Sequence, residues 1–159
     1  MKKYLIAIFV LALLIAPKHA RAFDIRETQM RLVLERYQSP MVGMEKLLIE
    51  TAESWGLDWT IMAAIAGTES SFAKRMPQNC NNPYGWGIYG DHKLCFASLE
   101  ESVNAVAKGL ATKYNTTSLE SIARTYNTVS TEGWLAHTRF FMNKIKSQSV
   151  PVASLPITL

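Results

Sequence analysis

Apolar positions recur with helical spacing over most of the chain, and one stretch departs from that rhythm by being apolar on every side. Ile61-Met62-Ala63-Ala64-Ile65-Ala66 runs into Gly67-Thr68-Glu69-Ser70-Ser71-Phe72. A surface helix carries a single apolar stripe, so a run with no polar face predicts a helix buried all round. Its neighbours are amphipathic. Between Met44 and Trp55, the residues Leu47, Leu48, Thr51, Ala52 and Trp55 share one face while Glu45, Lys46, Glu50 and Glu53 lie elsewhere, and Gly56 is a C-terminal stop. Asp58 then stands as the N-cap of the buried helix. Upstream, Ile25, Met30, Val33, Leu34 and Tyr37 mark a helix or semi-ordered arm, interrupted at Ser39-Pro40.

Three more helices follow downstream. Ser98-Leu99-Glu100-Glu101 reads as a capping box opening a helix that reaches Tyr114, with Val103, Val106, Ala107, Leu110 and Tyr114 as its core stripe. A short helix over 118–126 sets Leu119, Ile122, Ala123 and Tyr126 on one side, and a last one over 133–145 carries Trp134, Leu135, Phe140, Phe141 and Ile145. From Ser147 onward, Pro151, Pro156 and the lack of charge predict a frayed tail.

The stretch from Cys80 to Cys95 has no such period. Residues 84–90 interleave Tyr84, Trp86 and Tyr89 with Gly85, Gly87 and Gly90, too rich in glycine for a helix and too aromatic for a solvated linker. Two readings stay open. One is a hairpin whose rings plug the core; the other is a cleft wall, where glycines let a ligand approach the backbone and flat rings stack on sugar faces.

Composition changes the picture at the N-terminus. Lys2 and Lys3 precede an apolar run from Tyr4 to Ala16, then Pro17 and Ala20-Arg21-Ala22. That run is shorter than the ~20 residues of a membrane-spanning helix, and a cleaved secretory signal over 1–22 is expected, with Phe23 as the first mature residue. Lys2, Lys3, Lys18 and Arg21 leave with it, so the 17 basic residues fall by four to 13, against 13 acidic ones. The basic balance therefore belongs to the leader, and no excess of charge points to nucleic acid. What remains suits one core: an N-terminal helix or arm over 23–38, a main domain over 39–146 and a flexible tail over 147–159.

Two cysteines in an exported chain read as one disulfide, Cys80 to Cys95, worth about 3 kcal/mol for a loop of this size. The alternative, zinc held with His92, has no common spacing and no fourth ligand. No metal and no cofactor are expected.

The candidate chemistry is that of carboxylates. No Ser/His/Asp or Cys/His nucleophile pair and no phosphate loop stands out. Glu69, delivered to the edge of a core, is costly there unless it is hydrogen-bonded or held neutral, and a carboxyl neutral near pH 7 is what general-acid catalysis requires. The competing reading is a solvated acid at a helix end. Asp58 lies 11 positions away, about 16 Å along a helix. That is beyond the ~5–9.5 Å of paired glycosidase carboxyls, which leaves Asp58 as a cap. Asp91 is the one candidate for a second acid, though a turn role after Gly90 is the stronger reading.

With these residues in view, the chain resembles the lysozyme-like superfamily. It is most similar to secreted glucosaminidase and lytic-transglycosylase-like proteins, often labelled mannosyl-glycoprotein endo-beta-N-acetylglucosaminidase-like. The resemblance runs from about Ser39 to Ile145. It rests on Gly56-Leu57-Asp58, Ala64 to Phe72, Asn82-Pro83-Tyr84-Gly85-Trp86-Gly87, Phe96 to Ser102, and Ala123-Arg124-Thr125-Tyr126-Asn127. It implies a mainly α, α+β lysozyme-like fold: a helical domain with a buried central helix and a small disulfide-closed loop or β-hairpin lobe.

It also implies that Glu69 is the general acid cleaving peptidoglycan strands between N-acetylated amino sugars. Ser70 would follow it as in the transglycosylase Glu-Ser motif, orienting substrate or the acid. Asn82, Tyr84, Trp86, Tyr126 and Asn127 would bind substrate. Gly85-Trp86-Gly87-Ile88 stands where transglycosylases carry Gly-Leu-Met-Gln, and Tyr126-Asn127 lacks the Ala-Gly that usually follows. Hydrolysis and 1,6-anhydro formation both stay open. The expected setting is a monomer in the periplasm or outside a bacterial cell, touching membrane only through an uncleaved signal segment. The alternative is a non-catalytic peptidoglycan-binding or scaffold protein on the same fold.

Overall fold

The computed structural model of the protein describes residues 23–151. The expected signal segment and the end of the expected tail, 152–159, lie outside the described residues. Among the described residues, six helices and one two-stranded hairpin follow in order: α1 (Ile25–Arg36), α2 (Glu45–Ser54), α3 (Ile61–Ser70), β1 (Ile88–Tyr89), β2 (His92–Lys93), α4 (Leu99–Lys113), α5 (Leu119–Tyr126) and α6 (Thr131–Lys146). The protein is thus mainly helical, and the Cys80–Cys95 disulfide closes the loop that carries the hairpin.

The apolar run forms α3 and is enclosed as its pattern requires, with Ile61 through Gly67 all buried. Its main partner is α6, with α2 against another side. Gly67 allows this closeness: a Cβ there would lie 2.8 Å from Phe72 Cζ and 2.9 Å from Phe141 Cδ2. α1 is integral to the same core, since Met30, Val33 and Leu34 are wholly buried in it. The expected division between an arm at 23–38 and a domain from 39 is therefore not a break in packing.

Several local expectations need correction. Asp58 does not cap α3 directly. Its Oδ1 accepts from the Thr60 amide (2.9 Å) and hydroxyl (2.6 Å), shaping the turn before the helix, while Oδ2 accepts from Lys146 Nζ at 2.6 Å. The two Thr60 bonds and the ammonium hold the Asp58 carboxyl below its usual range, against the opposing effect of burial, which is the largest single influence.

Glu45, assigned by the pattern to a polar face, is 1% exposed. It receives the Gly43 amide at 2.8 Å and an Arg31 guanidinium N–H at 3.2 Å, which supply the partners a buried charge needs. The tail begins tied rather than frayed, because Gln29 Nε2 donates to the carbonyls of Lys146 and Gln148. The box at the start of α4 is present with a longer reach: Ser98 Oγ accepts from the Glu101 amide, and Glu101 in return accepts from the Ala97 amide.

The exit from α3 is unusual. Ser71, Phe72 and Ala73 have φ of 52°, 58° and 68°, three successive left-handed residues with side chains. Each costs about 1–2 kcal/mol by crowding of Cβ on the backbone. The fold over-determines them: the Phe72 amide donates to Ala66 O (3.0 Å), Ser39 Oγ donates to Phe72 O (2.8 Å), and the Phe72 ring is fully buried. This reversal of direction begins two residues after Glu69.

Candidate functional site

Glu69 sits on the last turn of α3, and it is exposed where the residues before it are covered. One carboxylate oxygen is fixed: Oε1 accepts the indole N–H of Trp134, in the first turns of α6, at 2.7 Å. The other faces the glycine loop, where a Cβ built on Gly85 would stand 3.1 Å from Oε2. Gly85 has φ +61° as well, so both its conformation and its neighbour call for glycine.

The carboxyl thus has one face open to solvent and the rest crowded by the Gly85 backbone and Trp134. Partial loss of hydration raises its pKa above the ordinary 4.5, and the Trp134 hydrogen bond, which favours the charged form, offsets part of that rise. The two effects leave Glu69 easier to protonate than a free glutamate.

Tyr126 completes the surroundings. Its ring stacks on Trp134 with centroids 4.9 Å apart, and its hydroxyl donates to Tyr84 O at 2.6 Å. The Tyr126 pKa is pushed far up, first by burial of the hydroxyl and then by the Glu69 charge, so it stays a neutral donor. From Tyr126 the aromatic surface continues to Trp86 (5.8 Å) and Tyr114 (6.0 Å), which lie 5.5 Å from each other. Trp86 is seated on α4 at Gly109, where a Cβ would come within 2.4 Å of its Cζ2. These rings wall a groove of about 300 Å³ that begins at Gly85, beside Oε2 of Glu69.

The sequence-predicted residues divide between cleft and scaffold. Trp86 and Tyr126 are half-buried and line the groove. Ser70, Asn82 and Tyr84, expected to touch substrate, face inward instead. Ser70 is 3% exposed, donating to Pro83 O (2.7 Å) and Ala66 O (3.0 Å) and accepting from the Ala73 amide (2.9 Å), so it fastens the loop to the end of α3.

Asn82, 1% exposed, donates to the carbonyls of Trp86 and Leu94 (2.8 Å each) and accepts from the amides of Tyr84 (3.3 Å) and Trp86 (3.2 Å). An inward side chain that satisfies four backbone groups stands in for a sheet the short loop cannot build. The Tyr84 ring is wholly buried, and its hydroxyl has no hydrogen-bond partner among the described residues. The Tyr84 ring thus plugs the core, while the Trp86 ring lines the groove.

Asn127 is the C-cap of α5, and its Oδ1 accepts from the Ser130 amide at 2.8 Å, ordering the turn into α6. Asp91 lies at the exposed tip of the hairpin, after Gly90 with φ +52°, between the paired residues Tyr89 and His92. That is the turn role, not a position within the crowded end of the cleft. Cys80 and Cys95 are both in the disulfide, which leaves neither for zinc.

Trp134 and Tyr114 are the residues the pattern placed in the core and the structure places at the site. A buried indole needs an acceptor for its N–H, which is a signal in the sequence. Nothing in a helical period says that the acceptor is a carboxylate 65 positions earlier.

No protein-family model matches the chain, and no curated protein matches it in sequence at a significant level. Among the described residues, no helix is long and apolar enough to cross a membrane.

Proposed function

We propose that the protein cleaves the glycan strands of peptidoglycan between N-acetylated amino sugars, as a lysozyme-like enzyme of the lytic transglycosylase or glucosaminidase type with Glu69 as general acid. The observation that carries this reading is the state of Glu69: an exposed carboxyl at the end of a buried helix, one oxygen held by Trp134, the other free toward a glycine, with its pKa raised. Because Oε1 accepts the indole N–H, the transferable proton resides on Oε2, on the side where the groove begins.

A glycosidic oxygen brought to Oε2 takes that proton as its bond to the anomeric carbon breaks. The bonding pair leaves with the oxygen, and the sugar's own 2-acetamido oxygen stabilises the oxocarbenium-like centre. Water or the 6-hydroxyl of the same sugar then attacks, returning a proton to Glu69. A substrate-assisted route of this kind needs one acid, in keeping with the place of Asp91 in the hairpin turn.

The Cys80–Cys95 disulfide is compatible with an oxidising, exported location. Export to the periplasm or beyond the cell, under the signal segment expected at 1–22, belongs to the same proposal.

Mass spectra of fragments released from purified peptidoglycan test the reading. Products ending in 1,6-anhydro sugars identify a transglycosylase, and new reducing ends identify a hydrolase. Binding to the sacculus without any released fragment would replace the enzyme with the alternative, a glycan-binding scaffold.

A further inference from the structure

α2 ends on Gly56, a glycine with φ +68°, which is how a helix commonly stops. α3 ends without one. Its C-cap Ser71 takes φ 52° and ψ 52°, and Phe72 and Ala73 follow at φ 58° and 68°. Left-handed residues that carry a Cβ persist only where their surroundings hold them, and such strain gathers at functional sites. Here it begins two positions after Glu69.

The turn brings the chain back onto its own helix. The Phe72 ring returns against Gly67, where a Cβ would stand 2.8 Å from its Cζ, and meets the rings of Tyr37 (4.8 Å) and Phe141 (4.9 Å). The last turn of α3, which carries Glu69, is thereby packed against the side chain that follows it.

Two serines hold this turn. Ser70 Oγ accepts from the Ala73 amide and donates to Pro83 O, joining the turn to the glycine loop. Ser39, 6% exposed in the connection between α1 and α2, donates to Phe72 O at 2.8 Å. Ser39 is itself fixed: its amide donates to Leu34 O (2.9 Å), its Oγ accepts from the Met41 amide (2.9 Å), and Pro40 follows it. The Glu69 carboxyl stands between Trp134 on α6 and Gly85 on the loop, so a change in how α3 ends would carry it away from both.

We propose that Ser39 is a positioning residue for Glu69: its hydroxyl holds the left-handed turn closed, and the closed turn sets the carboxyl between Trp134 and Gly85. The bond from the Met41 amide gives Ser39 a second, purely structural role in the α1–α2 connection, and that role by itself shows in stability and not at Glu69.

The test is the titration of Glu69 in the full chain, followed by NMR at the carboxyl and at the Trp134 indole N–H, whose signal moves as its acceptor gains a proton. In Ser39→Ala the Glu69 midpoint is expected to fall from its raised position toward the ordinary 4.5. The loss of hydration that raises it outweighs the hydrogen bond that opposes it, and both are lost together. The indole signal should stop following pH. Ile49→Ala truncates the core on α2 and lowers stability, and it should leave both signals as in wild type. Ser71→Gly supplies the residue such a turn prefers, and added to Ser39→Ala it is expected to restore the titration, or the folding where Ser39→Ala alone does not fold. An unchanged Glu69 titration in folded Ser39→Ala, the same shift in Ile49→Ala, or no rescue by Ser71→Gly overturns the proposal. Only the kinetic arm rests on the glycan-cleaving reading: fragment release by Ser39→Ala should be about 10- to 100-fold slower at saturating substrate with KM unchanged. A wild type that releases nothing, with the titration moved as expected, sinks the enzyme and keeps the positioning role.

Discussion

The indole N–H of Trp134 meets Oε1 of Glu69 at 2.7 Å, across 65 positions of sequence and between the two most closely packed helices of the fold. This bond fixes Oε1 and leaves Oε2 as the oxygen that faces Gly85. It also ties the acid's orientation to the α3–α6 packing, which the Thr68 and Thr138 hydroxyls reinforce by a bond of 3.0 Å.

The raised pKa of Glu69 gives a pH dependence with a definite sign. A general acid must be protonated, so activity should fall on the alkaline side, through a pKa above the ordinary 4.5. Stability follows linkage. A carboxyl whose folded pKa is raised contributes fully below the unfolded value, and that contribution is lost as pH rises through the folded one. Thermal midpoints of wild type and Glu69→Gln should therefore be closest near pH 4, with the variant gaining on wild type toward pH 7. A gain toward low pH would contradict the assignment.

Gly109→Ala tests the seat of Trp86. In an ordinary helix interior this change stabilises by about 1 kcal/mol. Here the new Cβ would lie 2.4 Å from Trp86 Cζ2, and overpacking of that kind costs about 1–3 kcal/mol. The expected result in chemical denaturation is net destabilisation of about 1 kcal/mol, with loss of the groove wall seen as weaker glycan binding. A more stable variant with unchanged binding would show that Trp86 is not held there.

Tyr84→Phe addresses the buried hydroxyl that has no partner among the described residues. Burial of such a group costs about 1–3 kcal/mol, so its removal should leave stability unchanged or raise it by about 1 kcal/mol. The Tyr126 bond, which goes to the Tyr84 carbonyl, is preserved in the variant. A drop of more than about 1 kcal/mol would mean that the hydroxyl is satisfied in solution.

The helices were legible because each carries its own period and stops. Ser98 caps as its sequence suggests, and Gly56 adopts φ +68° just after α2. The inward turn of Ser70, Asn82 and Tyr84 was not legible. A motif identifies residues that belong near a site without saying which of them build the loop and which face the cleft. In a loop of short strands the backbone groups lack regular partners, and small polar side chains are drawn in to serve them. Glu45 was misassigned for a related reason: its period put it on a polar face, but its carboxylate is buried there on the Gly43 amide and the Arg31 guanidinium of α1. Trp134 was read as core, which is right for its ring, while its N–H belongs to the site.

The central claim is that Glu69 supplies the proton, and the rate of fragment release from purified peptidoglycan tests it most directly. Glu69→Gln keeps an acceptor for Trp134 and removes the acid, so release should fall by about 10²–10⁴ while the fold and glycan binding persist. Release by Glu69→Gln at the wild-type rate would contradict the account.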